Sequence, residues 1–161
     1  MTTKDYNQCV EEYADGVFRF ILKSIKDEET AKDIVQDAFT KMWEKRNNVD
    51  GKKAKSYLFT AAYHTMIDYI RKDRKSDVDD DFLNRNRTDI NSFSDLKEIL
   101  DEALETLPSV QKAVILLRDY EGYSYFEIGE IVELSESQVK VYIYRARVAL
   151  KKYIGSMEMV V

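Results

Sequence analysis

The stretch Tyr125–Lys152, YFEIGEIVELSESQVKVYIYRARVALKK, decides how this chain is read. It has the pattern of two short-coupled helices, the second of them two-faced. Ile128 and Val132 flank Gly129 on the first helix, Leu134 follows the turn, and Val139 and Tyr142 come from the second. Those are the positions where two helices crossing steeply bury side chains between them, with glycine where the backbones must come closest. At 100° per residue, Val139, Tyr142, Ile143, Ala146, Ala149, Leu150 and Tyr153 share one arc of the second helix. Ser137, Lys140, Val141, Tyr144, Arg145, Arg147, Lys151 and Lys152 share the other. A helix with small polar residues at its start and cations along one face suits the major groove of DNA, where phosphates take the cations and N-terminal side chains reach base edges. Ser135 supplies the cap signal for that helix. Glu133 occupies the turn position that commonly carries glycine with φ > 0; a non-glycine residue there costs about 1 kcal/mol, and some distortion of the turn is expected.

Working outward, the rest of the chain is also helical in pattern. One proline, five glycines and no long alternating apolar/polar run among 161 residues argue for an all-α fold. Apolar residues recur at helical spacing in Tyr6–Lys26 (Val10, Tyr13, Val17, Phe18, Ile21, Leu22, Ile25) and in Ala31–Arg46 (Ile34, Val35, Ala38, Phe39, Met42, Trp43). Asp33, Gln36 and Asp37 lie off the second stripe. Asn47–Lys53 is a loop. Ser56–Lys72 makes a third helix with a broad apolar side (Leu58, Phe59, Ala62, Tyr63, Met66, Tyr69, Ile70); Tyr57, Thr60, Ala61, His64, Asp68 and Arg71 are left on a narrower face. These three helices are expected to close a small core by themselves. Residues 76–94 lack a period and read as a flexible acidic linker, able to span about 60 Å when stretched. Asp95–Leu107 and Ser109–Glu121 supply two more helices, broken at Pro108. The expected organisation is therefore 1–75, a linker 76–94, 95–155, and a tail 156–161.

A formal net charge of −5 argues against nucleic-acid binding until it is divided along the chain. Gly51–Lys75 carries seven cations against Asp68 and Asp73, and Glu136–Gly155 carries five against Glu136. Between them, Ser76–Pro108 holds ten acids against three bases. Local sign decides where a phosphate backbone lies, so two separate nucleic-acid contacts are the natural reading. The lone Cys9 rules out a disulfide within the chain and fits a reducing compartment. With no signal peptide and no apolar run longer than Ala113–Leu117, the expectation is a soluble cytoplasmic protein with no membrane insertion. One His, one Cys, no Gly-rich phosphate loop and no clustered metal ligands argue against an enzyme. No catalytic residue, metal or cofactor is expected.

Three segments together resemble one family. Leu107-Pro108-Ser109-Val110-Gln111 through Leu116-Leu117-Arg118, then Glu121-Gly122-Tyr123-Ser124-Tyr125-Phe126-Glu127-Ile128 and the ending Val139-Lys140 … Tyr144-Arg145-Ala146-Arg147, resemble region 4 of bacterial extracytoplasmic-function (ECF) sigma factors. Ala31–Phe39 with Met42-Trp43 resembles their region 2.2, and Ser56–Phe59 through Asp68–Arg71 their regions 2.3 and 2.4. The resemblance covers nearly the whole chain in the right order. It implies two small helical domains, a three-helix region 2 and a four-helix region 4. It also implies a protein that binds core RNA polymerase, directs it to promoter DNA and opens the duplex, often under an anti-sigma factor.

By that resemblance Asp33, Gln36 and Asp37 face the polymerase, although spacing alone reads them as solvated surface. The last helix reads the −35 element through Lys140, Val141, Tyr144 and Arg145, with Ser137 and Gln138 near its start and Arg147 on the same face. A melted −10 strand needs cations for its backbone and planar groups for its bases. Tyr57, His64 and Arg71, with Asn48, Lys52 and Lys53 of the nearby loop, provide such a set. His64 stands where the family usually has Asn; it reads equally well as a structural histidine, and Tyr57 as a core edge. A second reading stays open on the residues alone: a stand-alone helix-turn-helix regulator with an N-terminal sensing bundle.

Overall fold

The computed structural model describes residues 1–76 and 95–158; residues 77–94 of the expected linker and the last three residues of the tail lie outside it. Among the described residues every regular element is helical: α1 (Thr3–Ile25), α2 (Glu28–Glu44), a 3-10 turn (Gly51–Lys53), α3 (Ala54–Ser76), α4 (Asp95–Glu105), α5 (Ser109–Ile115, running on through a π-helical turn, Leu116–Tyr120), α6 (Tyr125–Val132) and α7 (Glu136–Glu158).

The helix ends follow from local chemistry. Thr2 and Asp5 form a reciprocal capping box at the start of α1, and Ser124 and Glu127 form one at the start of α6. Asp27 caps α2, and Pro108 precedes α5, where its missing N–H costs nothing. Ser135 Oγ accepts the Gln138 N–H at 3.2 Å while Gln138 Oε1 accepts the Ser135 N–H at 3.0 Å, closing a third box at the start of α7. At the end of α6, Glu133 takes the left-handed conformation (φ 60°, ψ 48°) and its N–H still bonds to the Gly129 carbonyl. The turn is therefore regular rather than distorted: the chain accepts the backbone cost at Glu133 and keeps the geometry. Gly129 is where the two backbones meet, since a Cβ there would lie 2.5 Å from the Leu134 carbonyl oxygen.

The first lobe, α1–α3, packs Val17, Phe20, Ile21, Ala31, Ile34, Ala38, Met42, Leu58, Ala62 and Met66 inside. The second, α4–α7, does the same with Leu104, Val114, Leu117, Ile128, Ile131, Val139, Ile143 and Ala146. The two sets adjoin in one continuous buried cluster. The lobes pack directly: α6 lies along α3, and α5 with its π turn lies against α1. Phe59, fully buried, stacks edge-on against Tyr123 of the other lobe (centroids 5.1 Å) and touches Phe20 of its own (5.9 Å).

Polar groups stitch the same seam. Arg19 donates two hydrogen bonds to the nearly buried carboxylate of Glu121, at 2.8 and 2.7 Å. Lys55 pairs with Glu127 and lies over the Tyr123 ring. His64 Nε2 lies 3.2 Å from Glu133 Oε1. Lys112, almost wholly buried, donates to Glu105 (2.6 Å) and across the seam to the Ser24 carbonyl (2.8 Å), one of the otherwise orphaned carbonyls at the end of α1.

The seam makes the fold sensitive to alkali. Burial raises the phenols of Tyr63, Tyr120 and Tyr123 above their ordinary value, Tyr123 the furthest. A raised folded-state pKa means the unfolded chain ionises first, so this stability is complete below about pH 10 and is lost as pH climbs from there. Lys112 runs the other way: burial depresses its ammonium despite Glu105, so its share of stability grows as pH rises toward the lysine range. With three tyrosines against one lysine, denaturant midpoints are expected to fall steeply above about pH 10. The Tyr123 tyrosinate absorbance should appear only with unfolding; its appearance in the folded chain would contradict the packing described.

Candidate nucleic-acid interface

The outward face of α7 stays open although the lobes are packed. Ser137, Lys140, Val141, Tyr144 and Arg145 are all exposed, Tyr144 at 70% and Val141 at 45%. The cations on this face rest on aromatic rings: Lys140 over Tyr125 at 5.4 Å and Arg145 over Tyr142 at 5.9 Å. Such contacts leave the charged head groups in water and free to turn toward a phosphate. Two members of the predicted set are engaged elsewhere. Gln138 serves the cap of its own helix through Ser135, and Arg147 makes a two-bond pair with Asp119 (2.6 and 3.2 Å), tying α7 to the π turn.

The second predicted set is divided by the structure. Asn48, Lys52 and Lys53 are exposed on the loop before α3, which is pinned from below by buried Val49 and capped where Asp50 accepts the Lys52 N–H at 3.1 Å. Tyr57 is half-buried against the core. His64 and Arg71 are exposed at the edge of an open cleft of about 350 Å³, lined also by Tyr63, Ile67, Asp68 and, from the other lobe, Val132. The narrow face of α3 is thus partly covered by α6.

On α2, Asp33 and Gln36 are exposed. Asp37 is half-exposed, pairs with Lys41 at 3.0 Å, and accepts the Thr65 hydroxyl of α3 at 3.4 Å. Asp37 therefore also ties α2 to α3, a duty its spacing off the apolar stripe did not reveal. What sequence reasoning missed is the pairing of Glu121, Glu127 and Glu133 with the other lobe. Their partners lie 102, 72 and 69 positions away in sequence, so no local spacing announces them.

Residues 9–76 match the family description Sigma-70 region 2, and residues 97–150 match Sigma-70, region 4. The ECF RNA polymerase sigma factor SigM of Bacillus subtilis (strain 168) is 30% identical over 145 residues, covering 86% of this chain and 88% of that protein. RNA polymerase sigma factor SigV of the same organism is 32% identical over 143 residues, covering 86% and 84%. In fold, the chain is similar to the sigma factor RpoE from Bartonella quintana, solved in complex with the anti-sigma factor NepR. That match has a TM-score of 0.77 at 24% identity and covers 95% of this chain and 98% of that one. Both halves of the helical architecture, matched in order along the chain, place this protein in the ECF sigma factor family of RNA polymerase.

Proposed function

We propose that promoter recognition is divided between the two lobes: α7 reads duplex DNA at the −35 element, and α3 with the loop before it traps the opened −10 strand. As an ECF sigma factor the chain binds core RNA polymerase, directs it to promoters and promotes strand opening. The observation that carries the division of labour is the α7 face. Lys140, Val141, Tyr144 and Arg145 project together, exposed, from the second helix of a helix-turn-helix. Ser137 stands at the groove-entering end, and Arg147 and Gln138 support the helix from its flank and cap.

For the −10 strand, Asn48, Lys52, Lys53 and Arg71 supply polar and cationic contacts to the backbone, and Tyr57 and His64 planar groups for bases. Asp33, Gln36 and Asp37 form the acidic face offered to the polymerase. The protein acts as a binding and positioning factor, not an enzyme, and works in the cytoplasm where the template is; among the described residues no helix is long and apolar enough to cross a membrane. The solved RpoE–NepR complex supports an anti-sigma factor as a further partner of this chain. A stand-alone regulator is not favoured, because it leaves the region 2 match without a use.

Run-off transcription with purified core polymerase tests the reading. Arg145→Ala should weaken −35-dependent duplex binding by about tenfold, in the range of one good base or phosphate contact, with polymerase affinity unchanged. Asp37→Lys should do the reverse. Equal loss of the same property in both variants would refute the two-lobe division.

A further inference from the structure

One flank of α7 is docked within its own lobe. Lys140 and Arg147 are seven residues apart, so at 100° per residue they lie about 20° apart on the same flank. Both lean on the segment around the start of α6. Lys140 lies over the Tyr125 ring at 5.4 Å, and the same ring takes Arg118 of the π turn at 4.4 Å. Arg118 also donates to the Tyr123 carbonyl at 2.9 Å. The next residue, Asp119, accepts two bonds from the Arg147 guanidinium, at 2.6 and 3.2 Å. Adjacent residues of one π turn therefore hold the entry to α6 and the flank of α7. Such turns widen a helix by one residue, here where the Glu121 N–H reaches the Leu116 carbonyl at 3.1 Å, and they recur at functional sites.

We propose that Asp119 is a positioning residue for −35 recognition: through Arg147 it fixes the rotation of α7 about its own axis, and Arg147 itself touches no DNA. The outward stripe of α7 is Ser137, Val141, Tyr144 and Val148, all exposed. Arg147 lies about 90° round the helix from the middle of that stripe. It also stands about three turns beyond Glu136, roughly 16 Å along the axis from the end that enters a groove. At that end the Ser135–Gln138 box and the close approach at Gly129 anchor the helix. Along the inner face Val139, Ile143 and Ala146 are buried, but apolar contact is non-directional and lets a helix roll in its seat. A two-bond guanidinium–carboxylate pair is directional, so it sets the roll angle. A recognition surface tolerates about 10–20° of misorientation, so an unset roll is enough to take Val141 and Tyr144 off their base edges. The inference rests on the assignment of α7 to the −35 element.

The test uses the full chain assembled with core polymerase and two labelled duplexes. One is selected by the wild-type holoenzyme from a pool randomised across the −35 element; the other has that element scrambled. Affinities are read across a potassium chloride series. Asp119→Asn should cut the preference for the selected duplex about tenfold and leave the salt dependence unaltered, since no phosphate contact is gained or lost. Arg147→Gln should do the same. The pair is partly exposed, so its loss leaves the denaturant midpoint near wild type and unfolding does not account for the effect. The reversed pair, Asp119→Arg with Arg147→Asp, should regain the preference to within about threefold of wild type, because the bond and not the cation is what acts. If Asp119 only masks a phosphate-binding Arg147, Asp119→Asn instead binds both duplexes more tightly, with a salt slope steeper by about 0.9. The reversed pair then stays defective, and the inference is overturned. An unchanged preference in Asp119→Asn overturns it as well. Arg145→Ala separates that failure from failure of the reading beneath it: if this variant too keeps the full preference, the −35 assignment itself is wrong.

Discussion

Gly129→Ala should destabilise the protein by about 2–3 kcal/mol, although alanine is the better helix former by about 1 kcal/mol. The added methyl would stand 2.5 Å from the Leu134 carbonyl oxygen, a backbone atom and not the end of a mobile chain. That carbonyl has little room to retreat. It sits between the left-handed Glu133 and the Ser135–Gln138 capping box, and the Leu134 N–H itself bonds to the Gly129 carbonyl at 3.0 Å. Relief requires α7 to shift away from α6, which unseats buried Val139 and moves the whole Lys140–Arg145 face. Denaturant unfolding should therefore show the loss, and −35 duplex binding should fall well beyond the effect of Arg145→Ala. A variant as stable as wild type or more so would mean that the helices do not approach as described.

The larger loss is expected at Phe59. Truncation to alanine removes a fully buried ring and should cost about 3–5 kcal/mol, a large fraction of the total stability of an ordinary domain. For a chain of this size that corresponds to a fall in melting temperature of roughly 10 °C. Phe20→Ala provides the comparison, since its ring is as deeply buried and meets Phe59 within the first lobe. Both should lower stability comparably. Only Phe59→Ala removes the ring packed on Tyr123, so only it should also expand the chain in scattering at denaturant concentrations where the variant remains folded. Equal compactness of the two variants would show that the aromatic contact does not hold the lobes together.

What the sequence disclosed is what is local. The helices appear where apolar residues recur at three and four, and the cap at Ser135 sits where a cap residue precedes a periodic run. The buried arc of α7, with Val139, Ile143 and Ala146 inside, is the arc read from 100° steps. Glycine at 129 was legible as a close approach for the same reason. The interlobe seam was not. Lys55 and Glu127 are each an unremarkable surface charge until the fold brings them together, and no periodicity in α3 distinguishes a face turned to solvent from one covered by another helix. Asp37 and Arg147 were read as outward-facing for the same cause: their partners Thr65 and Asp119 belong to other elements. Residues engaged locally by chain chemistry can be foreseen; pairings made only by tertiary contact carry no spacing to read.

The aromatic seam has a consequence for how the protein must be handled by the cell. Parting the lobes wets the rings of Phe59 and Tyr123 together, so a chain waiting unbound with its halves spread would offer neighbours two sticky faces. Folding those faces onto one another covers both rings at once, so the contact that joins the lobes also withholds their apolar surface from other chains.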